Sequence, residues 1–167
     1  MKKLVVMLFV LMSLSAFAID GHLRLGAITN SGDYNGRDTS FDSYAPTVGF
    51  EVTQNLLLTT VGAGIAYNGS VSGSNMDTVP AYVLAKWNIL PVGVKPYVVG
   101  KVGRVLYTKD DVSGSNPDGT YYFAGGIGVD LLMFQAELLY SLTKIDDDRR
   151  GSDDLKQVSM IFGIQLF

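Results

Sequence analysis

From Ile19 onward the chain alternates apolar residues with small or polar ones at a period of two, in eight segments over 19–29, 43–53, 57–67, 78–89, 94–108, 120–131, 134–143 and 156–167. Period two is the repeat of a strand with two different faces, because successive Cβ atoms point to opposite sides. The segments are as long as a tilted strand that crosses a membrane, about 9–11 residues, or somewhat longer. Clusters of Gly, Asn, Asp and Ser separate them, which is the chemistry that turns require.

The connections alternate in length. "NSGDYNGRDTSFD" (30–42), "NGSVSGSNMD" (68–77), "KDDVSGSNPDG" (109–119) and "KIDDDRRGSDDL" (144–155) are long, whereas "QNL", "LPVG" and "LM" are short. All long connections therefore fall at one end of the array, and an even strand number puts both termini at the other. Short turns on one side and long loops on the other mark an outer-membrane barrel. The expectation is an all-β protein: an eight-stranded antiparallel up-and-down transmembrane β-barrel over 19–167, with the long segments as solvated acidic loops.

The two faces decide which way such a barrel is turned. In the fourth segment one face carries Val79, Ala81, Val83, Ala85, Trp87 and Ile89, and the other Thr78, Pro80, Tyr82, Leu84, Lys86 and Asn88. A soluble barrel would fill its inside with hydrocarbon; here the mixed, charged face is the one to turn inward. Parity places Asp20, His22, Arg24, Glu51, Lys86, Lys95, Lys101, Asp130 and Glu137 in the lumen, four acids and four bases beside one histidine. Isolated buried ions cost several kcal/mol each, so these charges are expected to pair into a plug. Charged residues make up 17% of the chain, against about 25% in a soluble domain, and mean hydropathy is +0.23.

"MKKLVVMLFVLMSLSAFA" has the layout of a cleaved secretory signal over 1–18: two lysines, an apolar core, then small residues. Without Lys2 and Lys3 the remaining chain holds 11 basic against 16 acidic side chains, a net charge of −5, which is no nucleic-acid footprint. There is no cysteine, so the exported protein is stabilised without disulfides. Phe50, Trp87 and Phe134 are expected at the short-turn interface, and Tyr44, Tyr67, Tyr121 and Tyr140 nearer the long loops, as two aromatic girdles. Lys101 and Arg104 have opposite parity: either a bulge at Gly103 brings both inside, or Arg104 snorkels to the upper interface.

Recognisable chemistry is sparse. His22 is the sole histidine, lies at the short-turn end and has no Ser in a nucleophile elbow, so it reads as a hydrogen-bonding lumen residue. "GAGIAYNG" and "GGIGVD" lack phosphate-loop spacing; their glycines fall on alternate positions and leave room for large inward side chains. Glu51, Asp130 and Glu137 have bases nearby, which favours a neutralised plug over an acid–base pair. "DDDRRGSDD" lacks the ligand spacing of a calcium loop. No metal, cofactor or catalytic residue is expected.

The leader, the eight alternating segments, the loop asymmetry, the charged inward face and the terminal Phe167 together resemble the small eight-stranded outer-membrane barrels of Gram-negative-type bacteria, the group of outer membrane protein X and the barrel domain of outer membrane protein A. That resemblance implies export to the bacterial outer membrane and assembly by the insertion machinery, with Phe167 as the insertion signal. It also implies outer-membrane lipid around a monomer. A structural, adhesive or defensive role through an external partner at loops 30–42, 68–77, 109–119 and 144–155 is the first functional expectation. A narrow ion pore or a lipid-modifying enzyme is the alternative. In one respect the chain departs from the group: the last apolar series, Val158, Met160, Phe162, Ile164 and Leu166, is out of phase with Phe167.

Overall fold

The computed structural model describes residues 19–31, 33–34, 37–38, 43–56, 58–71, 76–89, 93–110, 121–147 and 151–167. The expected signal segment 1–18 lies outside these residues, as do parts of all four long connections. The strands are β1 (Ile19–Asn30), β2 (Asp33–Tyr34), β3 (Arg37–Asp38), β4 (Ala45–Leu56), β5 (Thr59–Asn68), β6 (Met76–Asn88), β7 (Lys95–Asp110), β8 (Tyr121–Leu131), β9 (Phe134–Asp147) and β10 (Gly151–Gln165). Eight of them close into an antiparallel barrel in the order β1-β10-β9-β8-β7-β6-β5-β4, and β2 and β3 form a separate small hairpin. Each strand neighbours the next barrel strand in sequence, and β10 returns to β1 with His22 opposite Gln165 and Asn30 opposite Gln157.

Closure gives each of the eight barrel strands a neighbour on both sides, as a sheet surrounded by lipid requires. Burial follows the sequence alternation. Leu23, Leu25, Val48, Val83, Val98, Val102, Ile127, Leu138, Phe162 and Ile164 stand exposed on the outside, while Arg24, Glu51, Lys86, Lys101 and Glu137 are buried inside. The lumen is not uniformly polar. Tyr82, Leu84, Val105, Tyr122 and Ala124 form one apolar layer within it, and Tyr97, Val99 and Leu139 another.

The structure corrects several sequence-based boundaries. Gln54, Asn55 and Leu56 belong to β4 rather than to a turn. "KIDDDRRGSDDL" is largely ladder, with Asp147 opposite Gly151 and Thr143 opposite Leu155, because main-chain pairing continues whether or not one face is apolar. The described start of the 68–77 connection is packed rather than solvated: Gly69 N–H donates to Pro46 O at 3.0 Å, and Val71 is buried against Ile28 and Ala45 at the loop-end mouth.

The bulge in β7 falls at Leu106, not at Gly103. Val79 opposes Tyr107 while Pro80 opposes Val105, so Leu106 has no partner of its own. Lying beyond Arg104, it leaves that side chain outward and exposed, and it returns Thr108 to the lumen. A second irregularity sits at the chain end. Leu166 N–H donates to Gly21 O at 2.7 Å, and Gly21 N–H to Phe167 O at 3.0 Å. Two residues thus oppose one, the pattern of a bulge, and the Phe167 ring lies on Gly21, where an added Cβ would sit 2.6 Å from Cε1. This accounts for the phase: Phe167 covers an outward glycine instead of continuing the inward series of Gln165.

Candidate functional site

The charged lumen is assembled from five strands, because residues two apart on each strand share its inward face and a narrow barrel brings opposite walls within side-chain reach. Arg24 of β1 donates from Nη1 to Glu51 Oε2 of β4 at 2.9 Å and to Gln135 Oε1 of β9 at 3.1 Å. Its Nη2 donates to Glu137 Oε2 of β9. Lys101 of β7 lies 2.7 Å from Glu51 Oε1 and 3.2 Å from Glu137 Oε2. Lys86 of β6 lies 3.3 Å from Glu137 Oε1 and 3.9 Å from Glu51 Oε2, and donates to Gln135 Oε1 at 3.3 Å.

Two tyrosines complete the carboxylates. Tyr82 Oη donates to Glu51 Oε1 at 2.8 Å, and Tyr97 Oη donates to Glu137 Oε1 at 2.7 Å. Lys86 and Lys101 also lie over the rings of Tyr97 and Tyr82, each 4.9 Å from the centroid. These bulky groups fit because glycines face them: a Cβ on Gly64 would come 2.8 Å from Glu51 Cγ and 2.9 Å from Tyr82 Cε2, and one on Gly128 would meet the Tyr97 ring. Small-against-large alternation is how a narrow lumen is filled.

Of the expected lumen charges, the structure brings together Arg24, Glu51, Lys86, Lys101 and Glu137, with three cations around two carboxylates. The other four lie nearer the short-turn end. His22 pairs through Nε2 with Thr53 Oγ1 at 3.0 Å. Asp20 accepts from Asn55 Nδ2 at 2.8 Å and from Gln165 Nε2 at 3.0 Å. Lys95 and Asp130 face each other across β7 and β8 and are only half-buried. The inner group is therefore not charge-balanced by itself; the fourfold balance read from parity is spread along the lumen.

Tyr82, Tyr97 and Gln135 are members that a count of charges leaves out. Their inward parity was legible, but their role as donors and acceptors to the ions was not. In chemical terms the two carboxylates are saturated. Each oxygen of Glu51 and Glu137 already has a cation or a tyrosine hydroxyl against it, which leaves no carboxylate oxygen free to act as a base.

On the outside, Tyr44, Tyr67 and Tyr121 are exposed towards the long loops and Trp87 and Phe134 at the short-turn end, whereas Tyr140, the seventh residue of β9 from that end, is exposed in the middle of the wall rather than nearer the long loops. Phe50 is exposed too, but its neighbours across the ladders are Leu23 and Ile65, and it directly precedes Glu51. It sits in the middle of the wall rather than at the short-turn rim, because β4 continues six residues beyond it to Leu56. Arg104 reaches over Tyr121, 5.1 Å from the ring centroid, and its Nη2 donates to Tyr121 Oη at 3.3 Å.

No family model matches the chain, and no curated protein matches it in sequence. Solved structures do. Neisserial surface protein A superposes with a TM-score of 0.67 at 9% identity, covering 89% of this chain and 96% of that one. The outer membrane enzyme PagL gives 0.54 at 12% identity over 89% and 100% of the two chains. Ail of Yersinia pestis, solved with the heparin analogue sucrose octasulfate, gives 0.53 at 12% over 89% and 99%. The chain has the fold of the small eight-stranded outer-membrane β-barrels.

Proposed function

We propose that this is a non-enzymatic integral protein of the bacterial outer membrane, monomeric and exported behind its leader, whose barrel presents acidic external loops to a partner in a structural, adhesive or defensive role. The observation that carries this reading is the bonded plug. Arg24, Lys86 and Lys101 hold Glu51 and Glu137 across the full width of the lumen, so solute passage has no open route and function falls to the wall and the loops. The exposed belt of Leu, Val, Ile and Phe supports the membrane setting, since a patch of that extent in water would aggregate. Phe167, seated on Gly21 beside the closing ladder, is the proposed insertion signal and interfacial anchor.

Two measurements test the proposal. Folded protein in membranes is expected to migrate differently on gels before and after boiling, and planar bilayers containing it to show no discrete conductance. A soluble protein indifferent to heating, or stepwise currents, would overturn it. The likeness to PagL gives the enzymatic reading its own test. His22 is engaged with Thr53 near the short-turn end, and His22→Ala is expected to leave the lipid composition of intact membranes unchanged.

A further inference from the structure

Towards the long loops the outward wall carries Asp77 of β6, which accepts from Tyr67 Oη at 3.1 Å, and a separate group of charges spread over β7 to β10. Arg104 pairs with Tyr121 across β7 and β8. One step beyond the Tyr122–Thr143 pair, Tyr121 comes level with Lys144 of β9, and Lys144 in turn opposes Asp154 of β10. Lys156 stands one outward position below, opposite Leu142. Arg104, Tyr121, Lys144, Asp154 and Lys156 are all exposed. Three cations against one carboxylate leave this patch positive on a chain whose overall charge is negative.

Height decides what the patch meets. Arg104 is the tenth residue of β7 from its short-turn end, and Tyr121 and Lys144 are the eleventh of β8 and β9. A tilted strand uses about 9–11 residues to cross the hydrocarbon, so the row falls where hydrocarbon gives way to headgroups. Two strand spacings separate Arg104 from Lys144, roughly 10 Å. Arg104 does not stand straight out: its guanidinium leans over Tyr121 towards β9, and Arg is the side chain suited to a two-pronged grip on phosphate.

We infer that Arg104 and Lys144, bridged by the Tyr121 ring, form a docking site for the phosphate headgroup of an anionic lipid in the leaflet on the long-loop side. The inference rests on the membrane reading above. Tyr121 supplies an apolar shelf for the lipid's first carbons, with Phe123 stacked below it at 6.5 Å between centroids. Asp154 neutralises one cation at most and turns the anion towards the Arg104 side.

The test is lipid selectivity in phosphatidylcholine vesicles holding the folded protein, read from the motionally restricted fraction of spin-labelled phosphatidic acid against spin-labelled phosphatidylcholine. The wild type is expected to prefer phosphatidic acid, and Arg104→Gln or Lys144→Gln to lower that preference about fivefold each at low salt. Arg104→Lys is expected to retain part of it. Inorganic phosphate is expected to compete no better than chloride of equal ionic strength; abolition by phosphate alone would overturn the lipid assignment. Equal restriction of both labels by heat-modifiable wild type would overturn the site, as would a preference untouched by both variants. A wild type that does not insert, judged by migration before and after boiling, would overturn the membrane reading and the site with it.

Discussion

Arg24 donates to both carboxylates of the inner group, which Lys86 and Lys101 contact as well. Its guanidinium bridges β4 and β9, which do not touch in the sheet, by donating to Glu51 and Glu137. Removing one partner of a buried ion pair costs more than the pair itself contributes, because the remaining charge stays desolvated. Here Lys86 and Lys101 still balance the two carboxylates, so Arg24→Met is expected to destabilise the folded barrel by about 1.5–3 kcal/mol through the lost charged hydrogen bonds, measured by urea unfolding from vesicles. Arg24→Lys is expected to cost less, as it keeps the charge but gives up the fork that spans both carboxylates. Parity in the sequence was enough to place all five ions of this group in one lumen. It was not enough to choose partners, because who meets whom depends on distances across the barrel, which alternation does not contain. For the same reason alternation does not show that the hydroxyls of Tyr82 and Tyr97 donate to the two carboxylates.

Strands and turns were the most legible level, and their errors have a common cause. Alternation stops being readable where polar residues occupy both faces, so the sequence marks the strand ends at 143 and 156 while the ladder continues to Asp147 and Gly151. The bulge at Leu106 had no signal of its own. Arg104 announced an irregularity in phase, and the glycine beside it drew attention to the wrong position. The turn Leu132–Met133 offers a test at this scale. Leu132 adopts φ 55°, the left-handed region, while fully outside the core. Bulky residues pay about 1–2 kcal/mol there, and Asn is among the residues that two-residue hairpin turns favour. Leu132→Asn is expected to stabilise the barrel by about 1 kcal/mol in the same urea measurement, with unchanged conductance.

At the scale of the whole molecule, the lumen network is a product of closure rather than a cause of it. Arg24 and Glu137 are 113 residues apart, and Lys101 and Glu51 are 50 apart, so their bonds form only when distant strands have been drawn into one cylinder. The contacts available earlier are the hairpins joined by short turns, β4 with β5, β6 with β7, and β8 with β9. An interaction absent from the transition state changes the unfolding rate and leaves the folding rate nearly alone. Glu137→Gln weakens the contacts with Arg24, Lys86 and Lys101 together. It is expected to speed unfolding by the whole of the stability it loses, while folding into vesicles, followed by unboiled gel migration, proceeds at close to the wild-type rate. Folding slowed in proportion to the lost stability would instead place the ion network in the nucleus, with the lumen charges drawing the strands together before the ladder between β1 and β10 is made.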